Sequence, residues 1–203
     1  MVTIVDYGVG NLGSIANMLK RIGEPSTISS DPIVIAKADR IILPGVGHFD
    51  HAMEQLEKLQ LREVLDQKAL DEGVPILGIC LGMQLLTRES GEGVQPGLGW
   101  VPADTRQFEP DTELRLKVPH MGWNVVECSS PSRLTEGVTS DTRFYFVHSY
   151  YVRVDHEQNS ILKSWHGVHF DAAIQHKNIL GVQFHPEKSH RFGMKLLGNF
   201  SKI

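Results

Sequence analysis

The sequence has no excess of positive charge. Its 20 Lys and Arg residues are outnumbered by 24 Asp and Glu residues, which gives a formal net charge of −4 at pH 7. A protein that neutralises a phosphate backbone needs a basic surface, and no run of Lys or Arg marks one here. We therefore expect binding neither to nucleic acid nor to an anionic membrane surface.

Long hydrophobic runs are also missing. The longest mostly apolar stretch, Pro75 to Leu86, has 12 residues, whereas a membrane-spanning helix needs about 20. The N-terminus carries an early Asp6 and lacks the positively charged segment of a secretory signal peptide. We expect no membrane segment and a cytoplasmic location.

Cysteine is scarce. Cys80 and Cys128 lie in unrelated contexts and form no CxxC motif, so a disulfide framework is not expected. Histidines are plentiful, as in His166-x-x-His169, but they lack the ligand spacing of a structural metal site. We predict neither a metal ion nor a cofactor.

The first half of the chain alternates short apolar runs with helical patterns. Strands are predicted at Val2–Asp6, Ser26–Ser30, Arg40–Leu43 and Pro75–Ile79, and helices at Asn11–Ile22, Glu54–Asp71 and Met83–Arg88. This alternation is typical of βαβ units, so it predicts an α/β fold with a central, mostly parallel sheet flanked by helices.

The second half changes character. Short strand-like runs dominate from about Gly97 to Val182, and a final helix is predicted at Arg191–Phe200. These strand-like runs are Phe144–Val147, Tyr150–Val154, Val168–Ile174 and Leu180–Phe184. We predict an antiparallel β extension beside the parallel core. Since no repeat or linker is visible, residues 1–203 are interpreted as a single domain.

The segment Gly78-Ile-Cys80-Leu-Gly82 follows an apolar strand and precedes a helical pattern. This is the G-x-nucleophile-x-G arrangement of a sharp strand-to-helix turn, where glycines permit close backbone approach. Such a turn exposes Cys80 at a helix N-terminus and lets the N–H of Leu81 meet a developing oxyanion. The plainer interpretation is that Cys80 is a small buried residue.

The segment Gln183-Phe-His185-Pro-Glu187 ends the last strand-like run. Residues two apart in an extended segment point to the same side, so Glu187 is predicted to orient His185, with Pro186 ending the strand. Cys80, His185 and Glu187 then form a nucleophile, base and orienting group. Taken alone, His185 would more simply be one of 10 histidines that happens to end a strand.

Two glycine-rich turns complete the motifs. Leu43-Pro-Gly-Val-Gly47 could supply a second N–H to an oxyanion or be an ordinary turn. Gly8-Val-Gly10-Asn-Leu-Gly13 matches a dinucleotide-binding fingerprint, with Asp31 as the acid for the ribose. A dinucleotide-binding protein therefore remains an alternative, although it gives Cys80 and His185 no role.

Taken together, the segments Pro44–Gly47, Gly78–Gln84 and Gln183–Glu187 resemble the class I (triad) glutamine amidotransferases. Pro119-His-Met-Gly-Trp-Asn124 and Phe146-Val-His-Ser-Tyr150 further resemble the glutaminase subunits of imidazole glycerol phosphate synthases. The resemblance covers essentially the whole chain and implies a flavodoxin-like glutamine amidotransferase fold.

The resemblance implies that the chain hydrolyses L-glutamine to glutamate and ammonia. Cys80 would be the nucleophile, His185 the base and Glu187 its orienting residue. The oxyanion would be held at Leu81, Val46 and Gly47. The residues implied at the substrate are Gln84, Glu92, His148, Ser149 and Tyr150.

The resemblance also implies a partner. Free ammonia is protonated in water and lost as a nucleophile, so it would pass directly to a (βα)8-barrel cyclase subunit in a heterodimer. That subunit would make imidazole glycerol phosphate and the AICAR ribotide in histidine biosynthesis. The implied contact residues are Gly10, Asn11, His120, Met121, Trp123 and Asn124. Trp123 is either an interface anchor or a core residue.

Other functions stay open at this point. Paralogous glutaminase subunits supply ammonia to other synthases, such as those that amidate surface sugars, and glutamine hydrolysis does not distinguish them. Cysteine peptidases and γ-glutamyl hydrolases also use an elbow of this kind. A binding subunit with a vestigial site is a further alternative, against which the intact Cys80, His185 and Glu187 argue.

Overall fold

The computed structural model describes residues 1–109 and 116–203. Its strands are β1 (Val2–Val5), β2 (Ser26–Ser29), β3 (Arg40–Gly45), β4 (Ile76–Cys80), β5 (Ala103–Gln107), β6 (His120–Val125), β7 (Glu127–Cys128), β8 (Arg143–His148), β9 (Tyr150–Val154), β10 (Ser160–His166), β11 (Val168–His176) and β12 (Ile179–Val182). Its α-helices are α1 (Leu12–Arg21), α2 (Pro32–Ile35), α3 (Phe49–Lys58), α4 (Arg62–Asp66), α5 (Leu81–Leu85) and α6 (His190–Phe200).

Eight strands form the central sheet in the order β2-β1-β3-β4-β12-β11-β10-β7. The first five are mutually parallel, and the remaining three continue the same sheet in antiparallel pairing. The parallel part has the strand order of doubly wound flavodoxin-like sheets, in which ligands bind beyond the carboxyl ends of the strands. The predicted α/β fold class is confirmed.

Each face of the parallel sheet is covered by helices, which explains why its inner strands β1, β3, β4 and β12 are mainly apolar without alternation, whereas the edge strand β2 is more polar. On one face, Ile15 and Leu19 of α1 pack with Leu197 of α6. On the other face, Leu56 of α3 packs with Leu65 of α4. Neighbouring residues of β3 enter opposite clusters, because successive side chains of a strand point to opposite faces.

The antiparallel extension has two parts. Strands β7, β10 and β11 lengthen the central sheet rather than lying beside it as expected. Strands β5 and β9 form one separate two-stranded sheet, and β6 and β8 form another. The β6–β8 pair is close to the central sheet, since the Ser164 hydroxyl of β10 donates to the Val125 carbonyl of β6 at 2.8 Å.

The prediction of a single helix over Glu54–Asp71 was wrong. Helix α3 starts earlier, at Phe49, and ends at Lys58; α4 follows and continues into a π-helical turn at Gln67–Asp71. The break is a Schellman turn: Gln60 has φ 56°, and the Leu61 N–H donates to the Leu56 carbonyl. Gln occupies the left-handed position that glycine usually marks, so the sequence carried no stop signal there.

The other helix boundaries shifted little. Helix α1 begins after Asn11, whose side chain accepts from the Ser14 N–H. The helix predicted at Met83–Arg88 instead starts at Leu81, directly after β4, and ends at Leu85. Within the described ranges, no helix combines the length and apolar character needed to cross a bilayer.

Candidate functional site

Four parallel strands bring their carboxyl ends to one edge of the central sheet. Strands β1, β3, β4 and β12 are neighbours there, and Gly45 at the end of β3 pairs with Cys80 at the end of β4. The three predicted motifs and the Gly8–Gly13 turn follow these strands. The topology thereby gathers at one edge segments that are far apart in sequence.

Cys80 lies at a strained turn between β4 and α5. Its φ of 55° and ψ of −112° are unusual for a residue with a side chain. A Cβ at Gly78 would lie 2.6 Å from the Gly82 carbonyl oxygen, and a Cβ at Gly82 would lie 1.8 Å from that of Leu43. Only glycine fits at both positions, and the turn holds Cys80 at the start of α5.

His185 and Glu187 are together, although not for the reason expected. Strand β12 ends at Val182, and residues Pro186–Lys188 form a 3-10 turn. This turn, rather than strand alternation, brings Nδ1 of His185 to 2.8 Å from Oε1 of Glu187. The prediction that an extended segment joins them is corrected. The prediction of the pair itself agrees with the observed contact.

The imidazole of His185 is held in a buried, charged environment. Both side chains of the pair are only 2% exposed. Burial lowers the pKa of His185, but its interactions with Cys80 and Glu187 outweigh that effect and raise the pKa to about 10. Glu187 uses Nδ1, and Nε2 makes no other hydrogen bond among the described residues, so this atom is left to exchange a proton with Cys80.

Gln183 is a site residue to which the sequence interpretation gave no role. Its fully buried amide Nε2 approaches Sγ of Cys80 at 3.8 Å, and its Oε1 accepts from Nε2 of Gln84 at 3.2 Å. Gln183 precedes His185 by two positions in the quoted motif, which was the available signal. Its amide supplies a weak donor to the sulfur.

Tyr7 is a second residue that was missed. Its fully buried hydroxyl donates to the carbonyl of Pro44, in the glycine-rich turn after β3. Burial, together with the charge of Cys80, raises the pKa of this hydroxyl, so it remains a donor. A Cβ at Gly45 would lie 2.9 Å from the tyrosine oxygen. Tyr7 thus fixes the peptide at the base of the turn.

A cleft of about 330 Å³ opens over these residues. Every residue predicted to form the oxyanion hole or bind substrate lines it, together with Cys80 and His185. The lining residues are Val46, Gly47, Cys80, Leu81, Gln84, Glu92, Pro119, Val147, His148, Ser149, Tyr150, His185 and Lys188. Glu187, the third predicted catalytic residue, is not among the lining residues; it lies behind His185 and contacts its ring.

Glu92 is positioned by a reciprocal pair of backbone contacts. Its Oε2 accepts from the Phe49 N–H at the start of α3, at 2.9 Å. In return, the carboxylate of Asp50 accepts from the N–H groups of Val94 and Gln95. These two hydrogen bonds lower the pKa of Asp50. These hydrogen bonds hold the Glu92 loop against the start of α3 and place the Glu92 side chain at the cleft.

Another part of the cleft wall is the segment His148–Tyr150, where β8 ends and β9 begins. The Ser149 carbonyl accepts from the Phe108 N–H at 3.0 Å. The Tyr150 carbonyl faces Nδ1 of His148 at 2.7 Å and accepts from Nε2 of Gln84 at 3.2 Å. Both carbonyls are therefore held by scaffold donors, which fixes the segment.

The predicted contact residues divide into exposed and buried groups. On β6, Met121 is 63% exposed and Trp123 is 44% exposed, so Trp123 is not a core residue. His120 was expected to contact the partner. It is instead buried and turned inward, so its ring is not available to a partner. Asn11 is exposed, and Gly10 packs against Pro44.

The residues of the dinucleotide fingerprint have other contacts. Gly8 and Gly10 have φ values of 85° and 105°, and a Cβ at Gly10 would lie 3.3 Å from that of Pro44. The Asp31 carboxylate caps α2 by accepting from the Ile33 N–H at 2.8 Å. The positive φ values explain Gly8 and Gly10, and close packing against Pro44 adds to the reason at Gly10. Gly13 has no neighbour within 4 Å of an added Cβ, so the structure gives no reason for a glycine there.

Comparison with known proteins gives full-length matches. The chain is 48% identical to "Imidazole glycerol phosphate synthase subunit HisH 2" of Methanococcus maripaludis, over 100% of this chain and 99% of that protein. It is 47% identical to "Imidazole glycerol phosphate synthase subunit HisH" of Bdellovibrio bacteriovorus, over the full length of both.

Solved structures share the fold at lower sequence identity. A crystal structure of a glutamine amidotransferase has a TM-score of 0.72 at 19% identity, covering 98% of this chain and 100% of that one. The structure of PurLQS from Thermotoga maritima has a TM-score of 0.74 at 16% identity, with 99% and 97% covered. The family model for "Glutamine amidotransferase class-I" matches residues 3–202. The chain therefore belongs to the class-I glutamine amidotransferase family.

Proposed function

We propose that the chain is the glutaminase subunit of an imidazole glycerol phosphate synthase. It hydrolyses glutamine and passes ammonia to a cyclase subunit in histidine biosynthesis. The observation that carries the glutaminase chemistry is the cleft itself, where Cys80 on its strained turn meets a buried His185 paired with Glu187. The full-length relatives named as synthase subunits support the choice of pathway.

In the first half-reaction, Sγ of Cys80 bonds to the side-chain amide carbon of glutamine. Because the pKa of His185 is raised to about 10, its Nε2 already holds the thiol proton before the attack, and the sulfur reacts as a thiolate. Glu187 orients the ring from its other nitrogen. The negative charge that develops on the amide oxygen is held by backbone N–H groups of Leu81 and the Val46–Gly47 turn. The carbon–nitrogen bond then breaks, and His185 returns the proton so that ammonia leaves.

The second half-reaction hydrolyses the thioester. Water attacks the carbonyl carbon, His185 takes a proton from it, and the same backbone groups hold the second oxyanion. Cleavage of the carbon–sulfur bond releases glutamate and restores the Cys80 thiolate beside the protonated His185. Each proton taken by His185 is given back, so the cycle needs no cofactor.

The substrate's amino-acid end would lie at the side of the cleft opposite Cys80. Glu92 offers a carboxylate to the ammonium group of glutamine, which matches in charge. Gln84 and the His148–Tyr150 segment would enclose the remaining polar atoms. The cleft volume of about 330 Å³ lies at the small end of ligand pockets, as a single amino acid requires.

The cyclase would bind at the exposed side of β6, close to the cleft. Met121 and Trp123 point outward there, and the turn at Gly10 and Asn11 lies at the same edge of the sheet as Cys80. Transfer of ammonia without release to solvent requires that the partner cover this edge. One cyclase chain and one glutaminase chain would form a heterodimer.

The test is covalent labelling with 6-diazo-5-oxo-norleucine, a glutamine-like electrophile, followed by intact mass and peptide mapping. One adduct on Cys80 that excess glutamine blocks is expected, with faster labelling when a barrel cyclase is co-expressed. Absence of an adduct under both conditions would overturn the glutaminase mechanism. Labelling that is indifferent to the cyclase would contradict the histidine-pathway assignment and favour a paralogous subunit with another ammonia acceptor.

A further inference from the structure

Two buried histidines, one in the wall of the cleft and one behind it, take no part in the proton transfers of the proposed reaction. His120 of β6 and His148 of β8 are directly paired in the small antiparallel sheet, and each is 6% exposed. Phe108 contacts both rings edge-on, and Phe146 stacks on His120. Polar rings inside such an apolar cluster need hydrogen-bond partners, because unpaired buried nitrogens are costly.

The partners form a single chain of hydrogen bonds. Nδ1 of His148 is 2.7 Å from the Tyr150 carbonyl oxygen. Nε2 of His148 is 2.9 Å from Nδ1 of His120. Nε2 of His120 is 3.2 Å from Nδ2 of Asn124. The chain runs from the half-exposed Asn124 on β6 to the backbone of the pocket wall.

Only one assignment of protons satisfies this chain when the rings are neutral. The Tyr150 carbonyl can only accept, so Nδ1 of His148 carries a proton and its Nε2 accepts. His120 must then donate from Nδ1 and accept at Nε2. Burial lowers the pKa of His148 to about 3 and that of His120 to about 4, which keeps both rings neutral.

Asn124, at the far end of this chain of hydrogen bonds, independently indicates the same donor-to-acceptor direction. Nδ2 of Asn124 also donates to the Trp165 carbonyl at 2.9 Å, and its Oδ1 accepts from the Val125 N–H at 2.8 Å. These two contacts fix which end of the amide faces His120, and it is the donating end. Every donor in the chain therefore points toward Tyr150.

The last acceptor belongs to the cleft. Tyr150 and His148 both line it, and the same Tyr150 carbonyl accepts from Gln84. Two donors on one carbonyl hold the peptide after Tyr150 in one orientation. We propose that His120 is a positioning residue for the substrate pocket, which acts through His148 to hold the Tyr150 peptide. This inference rests on the proposed glutaminase function, since the pocket is the glutamine pocket.

The kinetic test compares two substitutions of His120 in the full chain. His120→Phe keeps an aromatic ring but removes both nitrogens, and we expect the KM for glutamine to rise about tenfold, with a smaller change in kcat. His120→Asn keeps an N–H donor close to the position of Nδ1, and it should recover most of the loss. His166→Phe is the matched control, because His166 stacks on His120 but lies outside the chain of hydrogen bonds.

An unchanged KM in His120→Phe, or an equal loss in His120→Asn and His120→Phe, would overturn the proposal. If His120→Phe fails to fold, the comparison of His120→Asn with the wild-type protein and the next measurement decide the question. Wild-type activity is measured in the same preparation. A wild-type protein that is inactive and unlabelled at Cys80 would count against the glutaminase function itself, a different result from altered kinetics in the variants.

The spectroscopic test is the nitrogen chemical shift of both rings in the wild-type protein at pH 7. We expect Nδ1 protonated and Nε2 unprotonated in His120 and in His148. This is the opposite of the tautomer that free neutral imidazole side chains favour, so a merely packed ring would not reproduce it. A protonated Nε2 in His148 would overturn the proposal without reference to activity.

Discussion

The two sides of the cleft are built by different physical means. The elbow side, residues 78–82 with the turn 44–47, is fixed by backbone contacts that leave no space for a Cβ at Gly78 or Gly82. The second side, His148–Tyr150, is fixed by hydrogen bonds from Phe108, Gln84 and His148. Steric fixation tolerates no added atom, whereas a hydrogen-bonded segment loses one contact at a time.

The strongest test of this difference is Gly82→Ala on the elbow side. The new methyl would lie 1.8 Å from the Leu43 carbonyl oxygen, a contact that can be relieved only if α5 or β3 moves. We expect a loss of about 4 kcal/mol in the free energy of unfolding, measured by urea denaturation. Gly13→Ala is the control, because no atom lies within 4 Å of its added Cβ. A loss in Gly82→Ala no larger than in Gly13→Ala would contradict steric fixation.

Glu187→Gln tests the charged pair behind the elbow. Loss of the carboxylate should lower kcat about 100-fold, because the imidazole is no longer oriented and its positive form is no longer stabilised. The exposed Glu54→Gln is the control. Glutaminase activity within about threefold of the wild-type value would contradict the orienting role.

The effect of Glu187→Gln on stability should depend on pH in a defined direction. Interaction with Glu187 helps to raise the folded-state pKa of His185 from 6.5 to about 10. The stabilisation is therefore complete below pH 6.5 and is lost as the pH rises toward 10. The difference in unfolding free energy between the wild-type protein and Glu187→Gln should narrow over this range. A difference that widens with pH would have the wrong sign.

Trp123→Ala tests whether the outward face of β6 is separable from the pocket behind it. Binding of the cyclase subunit should weaken about 30-fold, with a loss of only about 1 kcal/mol in the free energy of unfolding. Isothermal titration calorimetry measures the affinity. Trp165→Ala is matched in exposure, since both side chains are 44% exposed, and it should change the affinity less. Unchanged affinity in Trp123→Ala would remove this contact from the interface.

The smallest expected effect is that of Tyr7→Phe, which removes one hydrogen bond from the elbow side. The Pro44 carbonyl loses its donor, so the turn before Val46 and Gly47 is less firmly held. We expect kcat to fall about fivefold with the KM for glutamine unchanged. Tyr151→Phe, outside the cleft, is the control. A rise in KM without a fall in kcat would place the effect in substrate binding instead.

Much of the fold and site was predictable because the signals are local. The alternation of apolar runs and helical patterns gave the parallel sheet, and the glycines at 78 and 82 gave the elbow. Cys80, His185 and Glu187 could be named from short contiguous motifs, whereas Gln84, Glu92 and the segment His148–Tyr150 were named from the resemblance to a known family. What failed was the end of α3, where Gln60 takes a conformation that its residue type does not signal.

The amino-acid sequence by itself determined the residue types and strand ends from which the cleft is built, because strand ends and close turns follow from short-range sterics. Tertiary structure decided which of these residues face one another. The 3-10 turn that joins His185 to Glu187, the Tyr7 hydroxyl under Pro44 and the inward turn of His120 depend on pairings between distant strands. The physical reason is that a buried polar group takes the partner that packing brings to it, and sequence spacing does not encode that partner.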